Sequence, residues 1–528
     1  MHLVFQITEL LKEIVTYLDR VSLARLIQVC KTFEEPALDA LYTKIDCFYA
    51  LLTCMPEDLW SIESPSVAWY PGPPTLRFER PMVQTDWDAL LKHSHRVHVL
   101  HQGFDGQHER FDANSDVLRA LEHCPVPYIF PNLHTLLWNF GEVGAPIRFV
   151  LTPKLRRVRL ALTPDGLAET APELGSLCPS LESLELDGSP DELPASPEFV
   201  SIIQRLTHLR TLDCGENCAL TTPLLNHVAS LPNFHRLRLF AWPDSDWMQQ
   251  RRRIGLQSLD TLHLEQFTWD VASAAVDLLF GNGTGHGSAR LSGIKAALMF
   301  DTWFNRGIQS DFARFIGTLS RSVSCSDFHE LEIKAVGLSE HTWKNLLPLA
   351  AFPNMTSITI DHGRSDGSRE NPSTVFPNFA ALSQLIQAWP HLEHLNISFC
   401  VPPLPLRDFV AILHLCPLLE YANVDIDVFE DPEDVATFLS EGSFSVRNER
   451  ITTLHLRPPA ATDVRQTQRL QNAFARYIAA PALYRILPSL TKITDYCSGG
   501  GYTPSRFWDP IEAELEAMRI RDRNCIRG

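Results

Sequence analysis

Four groups of residues in this chain of 528 could do chemistry. His93, His95 and His98 cluster as metal ligands would, and Cys214-x-x-x-Cys218 offers two thiols. A strand over the histidines would put His93 and His95 on one face and His98 on the other, with no carboxylate or thiol nearby to complete a set. The cysteines lack a second pair at zinc-finger spacing. Four glycines alternate in FGNGTGHGSAR (280–290), yet no G-K-[ST] follows, and VASAAVDLLF ahead of them reads as a helix. That pattern fits a surface loop better than a phosphate cradle. The chain contains no G-x-S-x-G, H-E-x-x-H or Walker A motif. No catalytic residue, metal or cofactor is expected. The arginines remain, Arg157 with Arg159 and Arg236 with Arg238. Their planar forks suit a carboxylate or a phosphate.

These arginines lie inside a repeat. Leu133-x-x-Leu136-x-Trp138 opens a series continued by Leu155-x-x-Val158-x-Leu160, Leu181-x-x-Leu184-x-Leu186 and Leu209-x-x-Leu212-x-Cys214. Further units begin at Phe234 and Leu259 and, after a long gap, at Phe328, Met355, Leu392, Leu419 and Ile451; weaker ones begin at Val97, Leu291 and Leu490. Leucine-rich repeats run about 20 to 29 residues with this L-x-x-L-x-L strand motif. The expected fold class is therefore an α/β solenoid, an irregular horseshoe with a parallel concave sheet and convex helices such as 198–206, 224–231, 379–389 and 409–415. Single units cannot bury their apolar face, so stacked neighbours supply the core and the ends need caps. Residues 509–512, Asp-Pro-Ile-Glu, read as an N-cap, an N1 proline and a capping-box glutamate. They would start a last helix with Ile511, Leu515 and Met518 inward. Positions two, four and six after each first anchor face outward. They nominate Arg157, Arg159, Arg236, Arg238, Phe240, Tyr421 and Arg457 as substrate-binding side chains, the two arginine pairs about 15 Å apart across three strand spacings.

The opening residues have a different period. Ile7, Leu10, Leu11, Ile14, Val15 and Leu18 fall on one helical stripe, with Thr8 as the expected cap. Ser22 would cap a second helix carrying Leu23, Leu26, Ile27 and Cys30, and Phe33 leads into a third. Three short helices have little core of their own, which points to a partner. This stretch resembles an F-box, closest to the F-box-like modules that open many fungal proteins. Ile7, Leu10, Leu11, Ile14, Leu18, Leu23, Leu26, Val29, Cys30 and Phe33 carry the match, while Thr8 stands where the family usually has proline. Degenerate leucine-rich repeats follow such modules in that family. The resemblance implies that these residues, Thr8 included, bind the Skp adaptor of a cullin–RING ubiquitin ligase.

Four segments follow: residues 1–46 as the F-box-like module, 47–92 as a connector packed on the solenoid, 93–500 as degenerate repeats, and 501–528 as a capping helix and tail. A net charge of -17 disfavours nucleic acid and anionic membrane as partners. No run of about 18 apolar residues suggests a membrane span. Twelve cysteines without a framework spacing are expected as free thiols, in the cytoplasm or nucleus. The expected function is a non-enzymatic substrate receptor of an SCF-type ligase, holding the Skp adaptor and its cullin at one end and a protein substrate on the repeats. The alternative is a repeat scaffold whose first helices are only a cap.

Overall fold

The computed structural model describes residues 7–46, 48–63, 75–102, 112–113, 115–139, 147–161, 173–187, 197–214, 221–240, 254–256, 258–265, 268–281, 291–297, 308–334, 345–361, 379–398, 404–424, 426–427, 446–455, 480–494 and 509–527. The chain forms two compact units, Met1–Phe240 and Ala241–Gly528.

The first unit opens with α1 (Thr8–Thr16), α2 (Arg20–Ile27) and α3 (Lys31–Thr43). Ile7, not Thr8, occupies the N-cap of α1 and makes no side-chain cap bond. Asp19 rather than Ser22 caps α2, accepting from the Ser22 N–H at 2.8 Å. A carboxylate is the stronger acceptor at the positive end of the helix dipole, which moves the helix start three residues earlier than the hydroxyl suggested. Leu11, Val15, Leu23 and Ala37 form the core of the module, with Leu26, Ile27, Phe33, Ala40 and Leu41 packed against it.

α3 runs straight into Lys44–Ile45, the first strand of a parallel sheet. Six more strands follow in chain order: Val99–Gln102, Thr135–Asn139, Arg157–Ala161, Ser183–Asp187, Thr211–Cys214 and Arg236–Phe240. Their second anchors are register partners, Leu136 to Val158 to Leu184 to Leu212 to Leu237. All five are buried, and each such side chain contributes about 1.5–3 kcal/mol of hydrophobic stabilisation. Helices Pro197–Arg205 and Thr222–Ser230 follow the strands as the sequence expects. Between the module and the repeats, Phe48 is buried against Phe130, Trp138 and Phe149. Thr75–Phe78 is a strand, antiparallel to Trp60–Glu63. The histidine-bearing stretch is not a strand: Gln84–Ser94 is a helix, with His93 in its last turn and His95 at its C-cap. Its Trp87 and Leu90 are buried, and that helical spacing outweighed the alternation of the histidines.

Among the described residues the main sheet of the second unit has eight parallel strands in chain order: Thr261–Glu265, Gly293–Ala297, Glu330–Lys334, Ser357–Asp361, His394–Ser398, Tyr421–Val424, Thr453–His455 and Lys492–Thr494. The weak repeat at Leu291 therefore fills the long gap. Helices Trp269–Phe280 and Ile308–Ser322 flank it, Trp269 meeting Phe312 and Phe315 at centroid distances of 4.6 and 5.2 Å. The last helix, Asp509–Arg527, buries Ile511 and Leu515. Glu512 lies in the first turn of that helix. Its carboxylate accepts the Ile493 N–H at 2.6 Å, covering a donor on the edge of the last described strand.

One backbone device recurs in both units. The carbonyl just ahead of most strands accepts two successive N–H groups from the next repeat. His98 O takes those of His134 and Thr135, His134 O those of Arg156 and Arg157, and Arg156 O those of Glu182 and Ser183. Ser292, His329, Thr356 and Glu393 carbonyls do the same in the second unit. A carbonyl has two lone pairs, so both bonds are satisfied without any side chain. Each unit is thus an α/β, solenoid-like arrangement whose repeats are held through main chain and anchors.

Candidate docking surfaces

In the opening module the apolar residues divide. Leu11 and Leu23 are 2% and 4% exposed and belong to the module's core. Leu26, Cys30 and Phe33 are half-buried. Ile7, Leu10, Ile14 and Val29 are 47%, 44%, 38% and 66% exposed. Tyr17, Leu18 and Val21 are also exposed, and so is Thr8, in the first turn of α1. Ile7, Leu10, Ile14, Tyr17 and Leu18 fall on one flank of α1 next to the buried flank of Leu11 and Val15, as the 3.6 period requires. Most of the exposed large hydrophobics among the described residues lie in this module, which makes it an apolar patch rather than a scatter of single side chains.

On the other side the module is tied to the repeats. Arg96 pairs with Glu35 at 2.6 Å and with Asp39. Tyr42 stacks on His93 at 4.6 Å. Burial pushes the His93 imidazole below its usual range, helped by the charges of Lys92 and Arg96. It is a packed, neutral ring here. Among the described residues no group of three His, Cys, Asp or Glu side chains is placed to hold a metal ion.

The sheet face of the first unit brings the four arginines together but gives them two environments. Arg159 donates to Asp187 at 2.6 Å and lies 3.7 Å from Glu185. Arg238 donates to Asp213 at 3.1 Å. Burial pushes the Asp213 carboxyl up, against the pull of Arg238. This deeper row is internally compensated. Arg157 and Arg236 are exposed and make no ion pair among the described residues. They share one register row, Arg157 to Ser183 to Thr211 to Arg236. Just ahead lies a row that the outward-position rule missed, Arg156, Glu182 and Arg210, with Glu182 3.8 Å from both arginines. The signal was available, since these residues directly follow the first anchors. The Phe240 side chain and Arg457 fall outside the described residues.

Tyr421 belongs to the second unit. It is half-buried beside His394, ring centroids 6.1 Å apart. His394, Ser357, Glu330, His329, Ser292 and Thr356 line an open depression at the start of neighbouring strands. Deeper in the same face Lys295 bridges Glu330 and Glu332 at 3.3 and 3.1 Å, and Lys334 meets Glu332 at 2.8 Å. Burial raises the Glu332 carboxyl, but Lys334 and Lys295 together outweigh it and hold it below its usual range. Asn423 donates to Asn396 at 2.8 Å.

No protein-family model matches this chain, and no curated protein matches it. Among the described residues, no helix is long and apolar enough to cross a membrane.

Proposed function

We propose that this chain is a non-catalytic substrate receptor of a cullin–RING ubiquitin ligase of the SCF type. Its opening module, read as an F-box, docks on the Skp adaptor, and the strand faces of a degenerate leucine-rich-repeat solenoid hold a protein substrate. Catalysis is supplied in trans, by positioning the substrate near a ubiquitin-loaded partner. The observation that carries the reading is the division of the module. Leu11, Val15 and Leu23 close its core while Ile7, Leu10, Ile14, Leu18 and Val29 stay in water. Burying a large aliphatic side chain is worth about 1.5–3 kcal/mol, so four of them along one flank of α1, with Val29 exposed in the same module, are a costly surface to leave uncovered.

A second reading, a repeat scaffold whose helices only cap the sheet, draws on the continuity of α3 with Lys44–Ile45 and on the pairing of Arg96 with Glu35 and Asp39. The two readings make different demands on the exposed flank. Purified Skp adaptor should be retained by the parent chain and lost by the double variant Leu10→Asp, Val29→Asp, whose circular dichroism and melting stay those of the parent. Leu11→Ala should instead lower the melting temperature, because it opens a cavity in the module's core. A folded parent that never retains the adaptor would leave the scaffold.

A further inference from the structure

Among the described residues the basic rows of the first unit are only partly compensated, in a chain whose overall balance is -17. Arg156, Arg157, Arg210 and Arg236 face a single carboxylate, Glu182, in the two rows where the strands begin, and that carboxylate sits between Arg156 and Arg210. Arg157 and Arg236 have no ion-pair partner among the described residues. The turns that lead into these strands, 152–156, 178–182, 206–210 and 231–235, are described throughout, and none of their side chains pairs with either arginine. Farther along the strands Glu185 and Asp213, and Asp187 beyond them, pair with Arg159 and Arg238, which reduces their repulsion of an incoming anion. Between the two free guanidinium groups stand the hydroxyls of Ser183 and Thr211, on intervening strands of the same row.

We infer that this row binds an extended acidic peptide segment of a protein partner, with two carboxylates four residues apart, one on Arg157 and one on Arg236. The spacing follows from two repeats of different origin. Three strand-to-strand steps of about 4.8 Å separate the arginines by about 14 Å, and an extended peptide advances about 3.4 Å per residue, so positions i and i+4 span the same length on one face. Carboxylates suit the site because each end offers one free planar fork, which takes one carboxylate in a two-bond pair. The inference rests on the reading that this face holds a protein segment, and names the chemistry of that segment.

Fluorescence anisotropy with the full chain tests it, using labelled peptides of Ser, Thr and Ala that carry Glu at i and i+4, Glu at i and i+2, phosphoserine at i and i+4, or Gln throughout. The i, i+4 glutamate peptide should bind, weaken steeply with added salt, and lose about tenfold in affinity in Arg157→Gln or in Arg236→Gln. Both arginines are exposed, so these variants keep the parent's circular dichroism. Equal binding of the Gln peptide, binding by phosphoserine alone, equal binding of the i, i+2 peptide, or undiminished binding by the double variant would each overturn the proposal. Adaptor retention is measured on the same samples. Retention without peptide binding removes this inference and leaves the receptor reading. Peptide binding without retention upholds the acidic-segment site and removes the ligase.

Discussion

Thr8 illustrates how much one residue's place in a helix decides. It is the first helical residue of α1, and Ile7 ahead of it is extended, with φ -94° and ψ 104°. Proline is pre-organised for that first position, its missing N–H being one of the helix's unbonded donors, and it demands an extended residue before it. Thr8→Pro should therefore keep or raise the stability of the module by about 0.5 kcal/mol through the unfolded chain, read as a small upward shift in melting temperature. A marked loss would mean that the Thr8 N–H or side chain has a native partner. The sequence placed the apolar residues of α1 on the right stripe, but not which would be buried. A stripe records periodicity, and Leu10 and Leu11 are equally apolar. Only the packing of α2 and α3 against one flank separates them.

Elements are held by pairings that skip over sequence. Asp86 is fully buried near the start of Gln84–Ser94, bonded by two Arg80 nitrogens at 2.6 and 3.0 Å and by the Val83 N–H at 2.8 Å. Hydrogen bonds from Arg80 outweigh burial and hold its carboxyl below the ordinary aspartate value of 3.8. A lowered folded pKa means stability that is complete above about pH 4 and lost as pH falls through the folded value. Asp86→Asn should destabilise this helix by about 2 kcal/mol at pH 7, and the gap from the parent should narrow towards pH 3. Amide exchange across 84–94 at the two pH values checks both statements; a gap that stays constant with pH would exclude the charge as its source. None of this was legible beforehand, because the run of prolines hid the fold around it. The pairing of Arg159 with Asp187 was hidden for another reason, as it crosses strands and needs the register. Once anchor is set on anchor, that register follows from the repeat itself.

At the scale of the whole molecule, the repeat was the most legible feature. Anchors such as Leu184, Leu212 and Ile358 are buried where the motif puts them, because alternation and period constrain each other over many copies. The unit at Leu291 was faint since Ala296 stands where a large residue is usual, yet its strand pairs on both sides. Solenoid stability is a sum of nearest-neighbour terms. Ile358→Ala, at a site 1% exposed, should cost about 2–5 kcal/mol. The loss of amide protection should be concentrated in the adjoining strands Glu330–Lys334 and His394–Ser398 and should spare Lys492–Thr494. Uniform loss across all eight strands of that unit would show cooperative rather than neighbour-limited unfolding.

The doubly accepting carbonyls separate what can vary from what cannot. His134, Arg156, Glu182 and Arg210 contribute main-chain groups to the ladder and their side chains make only surface contacts, so a descendant of this protein could exchange them without rebuilding the fold. Proline alone is barred, because each of these residues must donate an N–H. A library randomised at those four positions with proline omitted should stay folded in nearly every member while its binding preferences diverge. The same backbone could then evolve new recognition faster than its core could tolerate a single poor substitution.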